Sequence, residues 1–222
     1  VTREEVADLM RQLDEIVGPI EGDDPKVLKR VRILDAAEAL FMRQGYVKTS
    51  MDGVAKEAGV AKGTLYLYFK KKADLILSAL GREKRQYIRG IMDVFDESLP
   101  AEERMRRWIK AVILAGTKMP LSGRIMGGGE LSALMDDLPP AIRGQTNRNR
   151  DTFVVPMIEE LVGPHTWTPA ELRDRADVLV SLGLLATVPA QPHLLRDMTP
   201  ERYAEILADI VVNGLSRKDN DQ

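Results

Sequence analysis

The side chains able to do chemistry concentrate in one short stretch. Between residues 49 and 72 stand Thr49, Ser50, Lys62, Gly63, Thr64, Tyr66, Tyr68 and the run Lys70-Lys71-Lys72. Hydroxyls, phenols and ammonium groups interleaved with small residues form a donor set suited to phosphate oxygens and base edges, not a nucleophile with its base. The rest of the inventory narrows the choice further. The chain has no cysteine, which excludes a thiolate nucleophile, a thiolate zinc site, an iron–sulfur cluster and a disulfide. Its two histidines, His165 and His193, each follow a proline in a loop with no nucleophile or ligand motif beside them. An enzyme is therefore the weaker reading, and no metal or other cofactor is expected.

The overall charge of -2 conceals an asymmetry. Residues 26–90 carry 15 Lys and Arg against 6 Asp and Glu; residues 1–25 carry 2 against 8, and residues 91–222 carry 15 against 20. A basic block inside an acidic chain is either a polyanion-binding module or a solvated basic face. Bilayer insertion is not expected, since the longest uncharged apolar run, Val178 to Ala190, falls short of the ~20 residues a span needs. The acidic, amphipathic start resembles neither a signal nor a transit peptide, so the expected compartment is the cytoplasm.

Helical signals run along the whole chain. Thr2 and Glu5 form a capping box before an apolar stripe from Val6 to Val17, and the segment from Gly18 to Pro25 reads as a linker. The spacing predicts a helix from Pro25 to Gln44, with Gly45 as its left-handed stop. Thr49 or Ser50 caps a short helix to Ala58, Gly59 turns the chain, and a second short helix runs from Ala61 to about Tyr68. A longer helix is expected over residues 72–98, followed by further helices whose breaks fall at prolines. Thr168-Pro169 with Glu171, and Thr199-Pro200, mark two helix starts. No alternating strand pattern and no internal repeat stands out, so the fold class expected is all-α.

The run Ile33-Leu34-Asp35-Ala36-Ala37, Gly45-Tyr46, Thr49-Ser50-Met51, Ala58-Gly59-Val60-Ala61-Lys62-Gly63-Thr64-Leu65-Tyr66-Leu67-Tyr68-Phe69 and Lys72-Ala73-Asp74-Leu75 closely resembles the DNA-binding domain of the TetR/AcrR family of bacterial regulators. The resemblance implies a three-helix helix-turn-helix domain over residues 26–72, followed by a helical ligand-binding and dimerisation domain over 73–222, with residues 1–25 an added helix and linker. It implies a double-stranded DNA operator as partner. Its contacts would come from Thr49, Ser50, Lys62, Gly63, Thr64, Tyr66, Tyr68 and Lys72. Chemistry agrees residue by residue. Lys62 and Thr64 open a recognition helix and can meet base edges, while the Tyr66 and Tyr68 hydroxyls and Lys72 can reach phosphates. Leu67 offers only methyl or sugar contacts.

Beyond the motif, Met and aromatic residues at helical spacing mark either core or an adaptable pocket for a partly apolar effector. The candidates for such a pocket are Met105, Trp108, Val112, Met126, Glu130, Phe153 and Met157. Gly127-Gly128-Gly129 lacks the strand and the Lys-Ser/Thr of a phosphate loop, and reads as a weakened helix or a surface turn. Two late stripes, Leu172, Ala176, Leu179, Gly183 and Ala186, and Tyr203, Ile206 and Ile210, suit a homodimer interface, or else an internal core. The expected function is a ligand-responsive regulator, a repressor released from a palindrome by its effector; an architectural DNA binder is the alternative. The acidic helix at the start packs on a partner subunit, folds over the basic block, or is disordered.

Overall fold

A computed structural model describes residues 3–138 and 150–216 of the chain. In chain order its helices are α1 (Arg3–Val17), α2 (Pro25–Lys48), α3 (Met51–Glu57), α4 (Lys62–Tyr68), α5 (Lys72–Gly90), α6 (Ala101–Lys118), α7 (Pro120–Gly127), α8 (Leu131–Asp137), α9 (Val155–Val162), α10 (Pro169–Leu185), α11 (Pro192–Leu195) and α12 (Pro200–Ser216). A 3-10 turn at Met92–Phe95 and a π turn at Arg150–Val154 complete the regular elements, and none of the described residues forms a strand. The fold is all-α.

The chain forms two compact units. One holds residues 8–89 and 119–138; the other holds residues 3–7, 90–118 and 150–216. These units do not follow the sequence boundary at residues 72 and 73, because α5, α7 and α8 group with the motif.

In the first unit, Asp24 caps α2 by accepting the Lys26 N–H at 2.7 Å, with Pro25 in the first helical position. The helix buries Ile33, Leu34, Ala37, Leu40 and Phe41. Its regular conformation breaks at Gly45, whose φ of +82° is the left-handed region. Ser50 then caps α3 by accepting the Gly53 N–H at 3.1 Å, and α3 packs on both α2 and α4. The turn between α3 and α4 passes through Gly59 at φ +62°. Val54, Ala55, Leu65 and Phe69 are buried, as an inward face requires. Helix α5 stops at Gly90, short of the expected Ser98: the glycine weakens the helix, and the chain continues as a 3-10 turn. The glycine run at 127–129 separates α7 from α8, so it is a turn between two helices.

Residues 8–17 of the acidic helix fold onto the basic block of their own chain, one of the three fates expected for them. The Ser78 hydroxyl donates to the Ile16 carbonyl at 2.9 Å, and Arg30 donates to the Val17 carbonyl at 2.7 Å. Gly81 leaves room for the Ile16 and Val17 side chains. Arg85 pairs with Asp14 and, at 2.8 Å, with Glu21, whose carboxyl it holds below the usual carboxylate range, helped by Arg89.

The second unit is built around α6, on which α9, α10 and α12 pack. Its core joins Met105, Ile109 and Ile113 of α6 with Met157 and Ile158 of α9, Leu172, Ala176, Leu179 and Leu182 of α10, and Ala204, Ala208 and Val212 of α12. Small residues bring the helices close. At Gly116 a side chain would collide with the Ala186 carbonyl oxygen at the end of α10. The buried Arg104 pairs with Glu160, tying α6 to α9. The expected capping box at Thr168 and Glu171 is formed.

This core corrects part of the expected dimer face. Leu172, Ala176, Leu179 and Ala186 are buried within the chain itself. An apolar stripe declares that a face is buried without declaring what covers it. On α10 the residues left open are others, Val178 at 64% exposure with Leu184 and Leu185, whereas Ile210 of the expected set is 63% exposed on α12. Tyr203 and Ile206 are half-buried, and nothing crowds Gly183.

Candidate nucleic-acid interface

Helix α4 presents two contrasting faces. Leu65 is fully buried, whereas Lys62 and Gly63 at the start of the helix, and Leu67 at 75% exposure, point to solvent. Thr64, Tyr66 and Tyr68 are half-buried between them. A helix start with open donors and no side chain at Gly63 can approach base edges closely. The Lys62 ammonium lies 2.8 Å from Asp52 of α3, which raises its pKa above the ordinary lysine value chiefly through their hydrogen bond.

The sequence reading placed Thr49 and Ser50 together at the start of α3. The structure separates them. Ser50 is exposed and is the cap. Thr49 is 2% exposed, and its hydroxyl donates to the Gly45 carbonyl at 2.7 Å. Its side chain therefore stabilises the end of α2 and is withdrawn from any phosphate. Lys72 is half-buried. It donates to the Tyr46 carbonyl at 2.9 Å and stacks its ammonium 4.2 Å from the centre of the Tyr46 ring. An ammonium has three N–H donors, so this packing leaves it donor capacity for a phosphate.

Arg30 fixes the far end of α4. Its guanidinium lies 4.2 Å from the centre of the Phe69 ring and donates to the Tyr68 carbonyl at 3.4 Å, alongside its bond to Val17. Ion pairs absorb much of the remaining basic block: Arg43 with Glu57, Arg82 with Asp35 and Glu38, and Arg85 as above. Lys48, Lys56, Lys70 and Lys71 remain exposed and carry no ion pair among the described residues. They flank α3 and α4 in the chain; Lys26, Lys29 and Arg32 near the start of α2 are likewise exposed. Sequence reasoning left Lys48 and Lys56 out of the contact set; Asp52 stands one helical turn before Lys56, and nothing local shows that it pairs with Lys62 instead.

The expected effector residues are divided between the two units. Met105 and Met157 are core residues of the second unit, with Trp108 and Val112 packed against that core. Phe153 is half-buried in the same unit, while Met126 belongs to the first. Glu130 also lies in the first unit and is committed there: its carboxylate accepts the Tyr46 N–H at 2.9 Å and fills the space beside Gly45. It is a cap on the end of α2, not an open ligand group. Among the described residues no cluster of side chains could hold a metal ion, and no helix is long and apolar enough to cross a membrane.

A short α3, a glycine turn and an α4 with an open N-terminal face define a helix-turn-helix DNA-binding protein. Residues 33–79 match the model of the bacterial regulatory proteins, tetR family. An uncharacterised HTH-type transcriptional regulator of Mycobacterium tuberculosis, MT1294, is 32% identical over 148 residues, covering 59% of this chain and 73% of that one. The fatty acid metabolism regulator protein of Bacillus subtilis is 36% identical over 77 residues, 35% of this chain and 40% of its own. The repressor KstR of Mycolicibacterium smegmatis is 48% identical over 62 residues, 28% of this chain and 30% of its own. The chain thus spans less than half the length of these last two relatives. The solved structure of FadR from Bacillus subtilis in complex with stearoyl-CoA superposes with a TM-score of 0.61 at 20% identity, covering 83% of this chain and 98% of that one. The chain belongs to the TetR family of DNA-binding transcriptional regulators, whose members are not enzymes.

Proposed function

We propose that the protein is a repressor that binds a palindromic operator as a homodimer in the cytoplasm and leaves it when a small, partly apolar effector binds. The observation that carries this reading is the open N-terminal face of α4, with Lys62 and Gly63 exposed beside Ser50 and the unpaired lysines. Lys62 and Thr64 read base edges. Ser50, Tyr66, Tyr68 and Lys72 hold phosphates, joined by Lys48, Lys56, Lys70 and Lys71. Two such heads per dimer match half-sites about one turn of DNA apart. The exposed Val178, Leu184, Leu185 and Ile210, with Gly183, supply the face for the second copy. Burying them removes apolar surface that a lone chain leaves in water.

The effector acts by binding better to a form whose heads are misplaced. The FadR relative's stearoyl-CoA makes acyl-CoA thioesters the first panel to try. The test is selection of binding sites from a random duplex library, followed by titration of the selected site with and without a C4–C18 acyl-CoA panel. A short palindrome, bound by the dimer and released by one thioester, is the expected result. Uniform binding to all duplexes would refute the operator reading in favour of an architectural role. Lys62→Ala should relax the base preference at one position of each half-site; an unchanged preference would remove Lys62 from the base-reading set.

A further inference from the structure

Three side chains converge on Tyr46 through four contacts. Its N–H donates to Glu130 at 2.9 Å, its phenol donates to Asp137 at 2.6 Å, and its carbonyl and ring both receive Lys72. The residue is 1% exposed, and its ring lies 6.0 Å from that of Phe41. Burial, with the Asp137 bond and charge in support, pushes the phenol well above the ordinary tyrosine range, so it stays a donor. Glu130, the residue that precedes the first turn of α8, and Asp137 at its end stand seven residues apart, about two turns, and so lie on one side of that helix. Gly45 completes the fit: the Glu130 carboxylate lies where a side chain at residue 45 would stand.

The segment bearing these carboxylates is unusual in its placement. Residues 119–138 fold with the DNA-reading unit, yet in the chain they are bracketed by segments of the other unit. They are held at two points. Glu83 of α5 accepts the Leu121 and Ser122 N–H groups at 2.7 and 2.9 Å, gripping the start of α7, and Tyr46 grips α8. Tyr46 itself sits at the end of α2, four residues before the Ser50 cap of α3. Any displacement of α8 is thereby delivered to the base of the reading helices.

We propose that Tyr46 is the positioning residue of the DNA-reading head, and that the Glu130–Asp137 face of α8 sets the head's orientation through it. The proposal rests on the operator reading above. Removing the phenol hydroxyl or its acceptor loosens the head while leaving in place the Tyr46 carbonyl and ring that hold Lys72.

The test uses the full chain and the selected palindrome, together with versions of it lengthened or shortened by one base pair at the centre. Tyr46→Phe and Asp137→Ala should lower the preference for the native spacing by roughly tenfold, in the range of typical coupling between sites. Asp137→Asn keeps an oxygen to accept the phenol and should retain most of the preference. A uniform loss across all spacings, or an unchanged preference, overturns the proposal. Asp137 is exposed, so its variants remain informative if Tyr46→Phe fails to fold. Amide hydrogen exchange without DNA supplies a second arm. Residues 51–68 should exchange faster in Tyr46→Phe and Asp137→Ala and not in Asp137→Asn; equal exchange in all overturns the proposal even if no palindrome is selected, a result that would separately refute the operator reading.

Discussion

The two units are held together by different physics. Around α6, cohesion is apolar: a block of Ile, Leu, Met and Ala from helices α6, α9, α10 and α12, with the Arg104–Glu160 pair among the few ion pairs between helices. The reading unit has its own buried residues, but directed polar contacts fix its elements. Arg30 joins α1, α4 and α5; Glu83 caps α7; Tyr46 carries α8; and Arg82 and Arg85 bind α5 to α2 and α1. Apolar packing is non-directional and tolerates many sequences, whereas a capped and hydrogen-bonded element tolerates few. A reader must hold donors in register with a rigid duplex, while the apolar unit needs only to stay closed around α6.

The contrast can be broken from either side. The largest effect should come from Ile113→Ala, which opens a cavity in the fully buried α6 core and should cost about 2–5 kcal/mol in denaturant unfolding. The base preference of the surviving folded protein should be unchanged; an altered preference would mean that the core and the reader are not separable. Next, Ser50→Ala removes the α3 cap and should cost about 0.5–2 kcal/mol. Operator affinity should fall with it, and Ser50→Asp, which restores the cap but repels phosphate, should recover stability without recovering affinity. Recovery of both would assign Ser50 to capping alone. The smallest effect on stability is expected from Lys70→Ala combined with Lys71→Ala, within about 0.5 kcal/mol for exposed residues. The same pair should flatten the slope of log affinity against log salt by about two, at roughly 0.9 per phosphate lost. A slope equal to wild type would return both lysines to the solvent.

How much of this was legible in the sequence follows from the same contrast. Local signals were fully written: Gly45 as a helix stop, Gly59 in the turn, the Thr168–Glu171 capping box, and the inward set of Val54, Ala55, Leu65 and Phe69. Each depends on residues within a turn or two of one another. Thr49 misled because a hydroxyl that caps the next helix and one that turns back to Gly45 look identical in sequence. Glu130 misled for a longer-range reason: its partner lies 84 residues away, and nothing local marks a carboxylate as already occupied. The stripe of Leu172, Ala176 and Leu179 fixed burial correctly and its partner wrongly, since periodicity reports a face and not a neighbour. The same limit applies to α5, where Gly90 ended a helix that the apolar spacing would have carried further.

The ion pair between Lys62 and Asp52 has a consequence for discrimination. The ammonium proposed to read a base does not wait unpaired; it already holds a carboxylate at 2.8 Å. A base edge must therefore outcompete an aspartate, and on a mismatched duplex the lysine simply returns to it. When Lys62 turns to a base edge, Asp52 loses its counter-charge and stands as a bare carboxylate on the face that meets the duplex. What such a head senses is the difference between two acceptors, one its own and one the duplex's, so a wrong site is disfavoured by the reader's internal chemistry before any steric misfit is felt.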